Sequence, residues 1–106
     1  MFVYTGPGCS VPRDVVGVKF NPSVVEVADR AFEHCTRLRE VVFNKGLLTI
    51  GYCAFAYCSS LQSIILPSTI TEIEDGAFCN CGNLREVVLH EGITKIGKDA
   101  FYYCRS

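Results

Sequence analysis

Ala-Phe-x-x-Cys recurs at a fixed spacing of 23 residues, as Ala31-Phe32-x-x-Cys35, Ala54-Phe55-x-x-Cys58, Ala77-Phe78-x-x-Cys81 and Ala100-Phe101-x-x-Cys104. Leu38, Leu61 and Leu84 stand three residues beyond the first three cysteines. Equal steps of this length describe an array of stacked units, not a fold built round a single pocket. Other columns keep the same register: Val24, Leu47, Ile70 and Ile93; Val27, Ile50, Ile73 and Ile96; Val18, Val41, Ile64 and Val87; Phe20, Phe43, Leu66 and Leu89. The array therefore reaches back to Val15. Residues 1–14 are expected to form an N-terminal capping segment, and residues 15–106 an array of about four coils with the last one incomplete.

Two rhythms alternate inside each coil. In Leu38-x-x-Val41-x-Phe43 the alternating part reads as a short strand, with Val41 and Phe43 on one face and Glu40, Val42 and Asn44 on the other. The Ala-Phe-x-x-Cys segment places apolar residues at i, i+1 and i+4, which one turn of helix would point inward together. Corners follow at Asn21-Pro22-Ser23, Asn44-Lys45-Gly46, Pro67-Ser68-Thr69 and His90-Glu91-Gly92. Pro67 cannot donate to a ladder and should end the strand Ile64–Leu66. No single coil can bury its own Leu, Ile and Phe residues, whereas stacked coils can. The expected architecture is an α/β solenoid, with short parallel strands on one wall and short helical turns on the other.

Leu61-x-x-Ile64-x-Leu66-Pro67-x-x-Ile70-x-x-Ile73-x-x-x-Ala77-Phe78-x-x-Cys81-x-x-Leu84 resembles the BspA-like branch of leucine-rich repeat proteins. The likeness runs from about Val15 to Cys104, and the opening Tyr4-x-Gly6-x-Gly8 looks like the start of such arrays in algae and other protists. The resemblance implies a right-handed solenoid, a non-enzymatic role, and use as a surface adhesin or binding scaffold. It implies no particular partner. The broken last repeat leads to the expectation that the natural chain continues past Ser106, or else that an uncapped C-terminal coil self-associates.

A length of 106 residues supports one domain. Ten basic and eleven acidic residues leave a formal charge of −1, with none of the basic excess of a nucleic-acid-binding surface. No stretch has the ~18 apolar residues of a membrane helix. The N-terminus lacks the basic and apolar segments of a signal peptide, so a cytoplasmic location is expected if Met1 is the true start.

Seven cysteines raise the question of disulfides or a metal. Cys35, Cys58, Cys81 and Cys104 share the inward column, where a thiol packs as a compact apolar group. Their parallel Cα–Cβ vectors oppose bridging. Cys9, Cys53 and Cys79 share no column, and Cys79-x-Cys81 lacks the second pair a zinc site needs. His34 adjoins the inward Cys35 but would point outward, so no catalytic Cys–His pair is expected. Neither a cofactor nor a metal is expected.

The outward strand columns offer the best surface for a partner. One reads Lys19, Val42, Ile65, Val88, and the one beside it Gly17, Glu40, Ser63, Glu86, flanked by Arg39, Gln62 and Arg85. An apolar stripe bordered by charges suits a protein or an extended peptide. The candidate partner-binding residues are Arg39, Glu40, Val42, Gln62, Ile65, Arg85, Glu86 and Val88. The alternative is a passive spacer within a longer array.

Overall fold

The computed structural model describes residues 1–104; Arg105 and Ser106, the last two residues of the expected array, lie outside the described residues. Short strands, all paired in parallel, build two walls of a solenoid. The first wall holds β1 (Phe2–Tyr4), β2 (Gly17–Phe20), β4 (Glu40–Val42), β6 (Ser63–Ile65) and β8 (Glu86–Val88). The second holds β3 (Glu26–Val27), β5 (Thr49–Ile50), β7 (Glu72–Ile73) and β9 (Lys95–Ile96) in the order β3-β5-β7-β9. Register follows the columns: Val18 pairs with Val41, Ile64 with Val87, and Val27 with Ile50.

The third wall corrects the expected α/β solenoid. Among the described residues there is no helix, and the Ala-Phe-x-x-Cys segments are chains of tight turns. The apolar spacing i, i+1, i+4 fits such turns as well as it fits a helix, since both bring every third or fourth residue to one side. The difference lies in where the amides go. Ala31, Glu33 and Cys35 donate three residues back within their own coil, to Ala28, Arg30 and Phe32. The amides between them leave the coil: Arg30 donates to Tyr52, Phe32 to Ala54 and His34 to Ala56 in the following coil. A helix would keep all of these bonds local.

Two left-handed positions per coil enforce the departure. Arg30, Cys53, Gly76 and Asp99 form one column, with φ of 60°, 52°, 67° and 57°. His34, Tyr57, Asn80 and Tyr103 form the other, with φ of 62°, 63°, 59° and 60°. A left-handed residue cannot continue a right-handed helix, and a segment this short cannot overcome the cost of helix nucleation. Stacking offers better-placed acceptors on the next coil. The chain is a pure β-solenoid.

The core lies between the three walls. Phe32, Phe55, Phe78 and Phe101 stack face to face, with centroids 5.0, 5.2 and 5.4 Å apart and planes within about 4° of parallel. Stacking of this kind adds ~1 kcal/mol per pair to the burial itself. The cysteine column points inward as expected. Cys35, Cys58 and Cys81 are buried and Cys104 is half-buried. Each later thiol donates to a phenylalanine carbonyl of the preceding coil: Cys58 to Phe32 at 3.2 Å, Cys81 to Phe55 at 3.1 Å and Cys104 to Phe78 at 3.2 Å. Cysteine fits this column because it is small, apolar and still able to satisfy a carbonyl.

Before the first full coil, β1 pairs in parallel with β2. Tyr4 is buried between Phe20 and Phe32, and its hydroxyl accepts the Ala28 amide at 3.0 Å. Arg13 donates to the Ala31 carbonyl at 2.8 Å and to Glu33, joining this segment to the turn wall.

Candidate functional site

The first wall is one face only in outline. β1, β2 and β4 form one ladder and β6 with β8 another, so β4 and β6 lie side by side without a shared ladder. The break falls where the column Phe20, Phe43 gives way to Leu66, Leu89. It also falls where Val41 is half-buried, although its equivalents Val18 and Ile64 are sealed in the core. Phe43 packs on Phe20 and edge-on against Phe55. A bulky ring behind β4 and a smaller leucine behind β6 leave the two strands on unlike supports.

An open cleft of about 270 Å³ marks the break, lined by Arg39, Glu40, Val41, Val42, Ser63 and Ile65. Four of the sequence-selected residues meet here: Arg39, Glu40, Val42 and Ile65. Val42 and Ile65 are 44% and 62% exposed, so the apolar stripe is a surface and not part of the core. Gln62 belongs to a neighbouring cleft of about 350 Å³ with Val16, Arg37, Arg39, Ser60 and Asn83, where polar groups dominate. Arg39 is common to both clefts. Arg85 and Glu86 are exposed one coil further on, at the start of β8. Val88, paired with Ile65, is half-buried and presents less of itself than its column predicts.

No ion pair holds Arg39, Glu40, Arg85 or Glu86 among the described residues; the ion pairs found there are Arg30–Glu33 and Lys95–Glu74. The charges flanking the stripe are thus free to meet a partner. Chemically the face can cover apolar side chains and can pair with charges of either sign. Among the described residues, no group of three or more His, Cys, Asp or Glu could hold a metal ion, and no helix is long and apolar enough to cross a membrane.

One outward column departs from expectation. Asn44 was expected to point outward from its strand, but β4 ends at Val42 and the chain has already turned the corner. Asn44 is buried, and its amide nitrogen donates to the carbonyls of Val24 at 2.8 Å and Pro22 at 3.2 Å, tying two coils at the corner. His90, in the same column, contacts the Leu66 carbonyl through Nε2 at 2.7 Å. Both are corner fasteners.

A longer period underlies the face. Leu38-Arg39-Glu40-Val41-Val42 recurs two coils later as Leu84-Arg85-Glu86-Val87-Val88, and Glu26-Val27-Ala28-Asp29 recurs as Glu72-Ile73-Glu74-Asp75. Odd and even coils therefore carry different surfaces, with charged pairs at Arg39-Glu40 and Arg85-Glu86 separated by neutral Gln62-Ser63. Comparing alternate coils, as well as adjacent ones, exposes this in the sequence.

A search of curated proteins finds no match. Among solved structures, the chain is similar to a leucine-rich repeat protein from Bacteroides ovatus, with 33% identity and a TM-score of 0.82 over 85% of this chain and 23% of that one. It is similar to the T. pallidum leucine-rich repeat protein, with 36% identity and a TM-score of 0.82 over 84% of this chain and 42% of that one. A leucine-rich cell surface protein from Faecalibacterium prausnitzii shares the fold at 22% identity and a TM-score of 0.51, over 85% of this chain and 37% of that one. The chain spans less than half the length of each. All three are bacterial, and nothing found supports the narrower likeness to protist arrays. The BspA type leucine-rich repeat region, in six copies, matches residues 13–106. The chain belongs to the BspA-type leucine-rich repeat family.

Proposed function

We propose that the chain is a protein-binding module whose partner lies across the face of β4, β6 and β8. The observation that carries this reading is the break between β4 and β6. It puts exposed Val42 and Ile65 beside unpaired Arg39 and Glu40 around an open cleft. An extended polypeptide fits this chemistry: its apolar side chains cover the stripe, and its charged groups meet Arg39 and Glu40. Arg85, Glu86 and Val88 prolong the contact over the next coil, and Gln62 borders it. The B. ovatus and T. pallidum proteins support the reading as relatives built from the same repeats.

Two further assignments accompany it. Residues 1–14 cap the first coil, a role supported by buried Tyr4 and by the Arg13 bonds to the turn wall. At the other end, Leu89 and Ile96 are 42% and 51% exposed, an apolar coil face on which either a further repeat or another copy of the chain would stack.

A peptide display library panned on the wild-type chain and on Val42→Lys/Ile65→Lys tests the binding face. Peptides that bind the wild type and lose at least tenfold affinity on the folded variant support it. Equal enrichment on both proteins assigns binding elsewhere, and no enrichment on either favours a passive spacer.

A further inference from the structure

The turn wall holds a pair of cysteines that the column pattern separates. Cys53 and Cys79 lie in different columns and different coils, yet their side chains converge over Gly76. A Cβ built on Gly76 would stand 3.0 Å from Cys53 Sγ and 3.7 Å from Cys79 Sγ. Gly76 has no Cβ, so both sulfurs occupy the space above it. Both residues are half-buried, and they line an open groove of about 300 Å³ with Tyr52, Asp75, Lys98 and Tyr102. Small oxidants can therefore reach them.

Cys35, Cys58 and Cys81 have none of these properties. They are buried, they are stacked in register, and the Cys58 and Cys81 thiols are held on phenylalanine carbonyls. A disulfide needs two side chains that approach one another, and Cys53 and Cys79 both bring their sulfurs to the space over Gly76.

We propose that Cys53 and Cys79 form a dithiol site that a low-molecular-weight disulfide, such as oxidised glutathione, closes into a bond stapling the second full coil to the third. The Cys53 thiolate attacks one sulfur of the small disulfide. A mixed disulfide forms on Cys53, and one small thiol leaves as its thiolate and takes up a proton. Cys79 then loses its proton and attacks the Cys53 sulfur, releasing the second small thiol. Two protein thiols are oxidised, and one small disulfide is reduced to two thiols. Burial pushes the Cys79 thiol up from its ordinary value, which suits it to the second, resolving step. The site lies on the turn wall, so the staple leaves the exposed strand face unobstructed.

The test uses the whole chain in a Cys9→Ser background, reduced and then incubated with oxidised glutathione. Intact mass should fall by two hydrogens. Cleavage after Glu72 and Glu74 places the two cysteines in different peptides, which should remain joined until reduced. Cys53→Ser and Cys79→Ser should each stop at one bound glutathione with no cross-link. The oxidised parent should melt on the order of 10 °C higher than the reduced one. Glutathione retained on both cysteines, a cross-link that survives either substitution, or no reaction at all would overturn the proposal.

Discussion

Asp75 Oδ1 accepts the amide of Lys98 in the following coil at 2.9 Å, and Asp29 Oδ1 accepts Tyr52 at the same distance two coils earlier. Each carboxylate reaches its amide past a glycine. A Cβ on Gly51 would stand 2.6 Å from the Val27 carbonyl oxygen and 2.7 Å from Asp29 Oδ1; one on Gly97 would stand 2.4 Å from the Asp75 nitrogen. The glycine is there because backbone crosses backbone. Gly51→Ala should therefore cost about 2–3 kcal/mol in urea unfolding, as rigid main chain has to move. Asp29→Ala should cost about 1 kcal/mol. Gly82→Ala, with open space around its Cβ position, should stay within about 0.5 kcal/mol.

Gly76 is constrained by conformation as well as by space. Its φ of 67° is left-handed, and a methyl group would meet Cys53 Sγ. Gly76→Ala should lose about 1–2 kcal/mol. Adding Cys53→Ala should recover the steric share and leave the conformational share, a non-additivity readable in a double-mutant cycle.

Neighbouring isoleucines on β6 should behave in opposite ways. Ile64 is 1% exposed and Ile65 is 62% exposed. Ile64→Ala should destabilise by about 2–5 kcal/mol through the cavity it leaves. Ile65→Lys should change stability by less than about 0.5 kcal/mol. Equal losses from both would mean that the register of β6 is wrong.

The buried thiols should make the fold labile to alkali. Burial pushes Cys104 up to about 11 from an unfolded value of 9.0, and burial pushes the Cys35 thiol up as well. An acid with a raised folded pKa stays neutral in the fold while the unfolded chain ionises. Its stabilising contribution is whole below about pH 9 and is lost as pH climbs to about 11. The urea midpoint should fall across that window, and Cys104→Ala should make the fall shallower. A midpoint that is flat from neutrality to pH ~11 would show that these thiols ionise freely in the fold.

The columns were legible in the sequence because burial repeats coil by coil. Phe32, Phe55 and Phe78, with Cys35, Cys58 and Cys81, stand inward where their spacing put them. The helical wall was misread because i, i+1, i+4 is shared by a helix and a run of tight turns. What separates them is the sign of φ at the two turn columns, where Arg30, Cys53 and Tyr57 carry no left-handed signature and only Gly76, Asn80, Asp99 and His34 hint at it. Val42 and Ile65 were legible as an outward column, while the break beside them was not. It depends on what supports each strand from behind, Phe43 under one and Leu66 under the other. The meeting of Cys53 and Cys79 was hidden for a similar reason: they differ in column and coil, and only the bare face of Gly76 brings them together.

The amides that join one coil to the next do not all point the same way. On the turn wall Phe32, Phe55 and Phe78 donate toward the following coil, whereas Arg39, Leu48, Gly51 and Thr71 beside the strands donate toward the preceding one. In an α-helix every peptide dipole adds, and the ends carry roughly half a charge each. Here opposed walls offset each other along the stacking axis. Coils can be added or deleted without building up a terminal field, so an array of this family can change length and leave the electrostatics of its strand face to side chains such as Arg39 and Glu40.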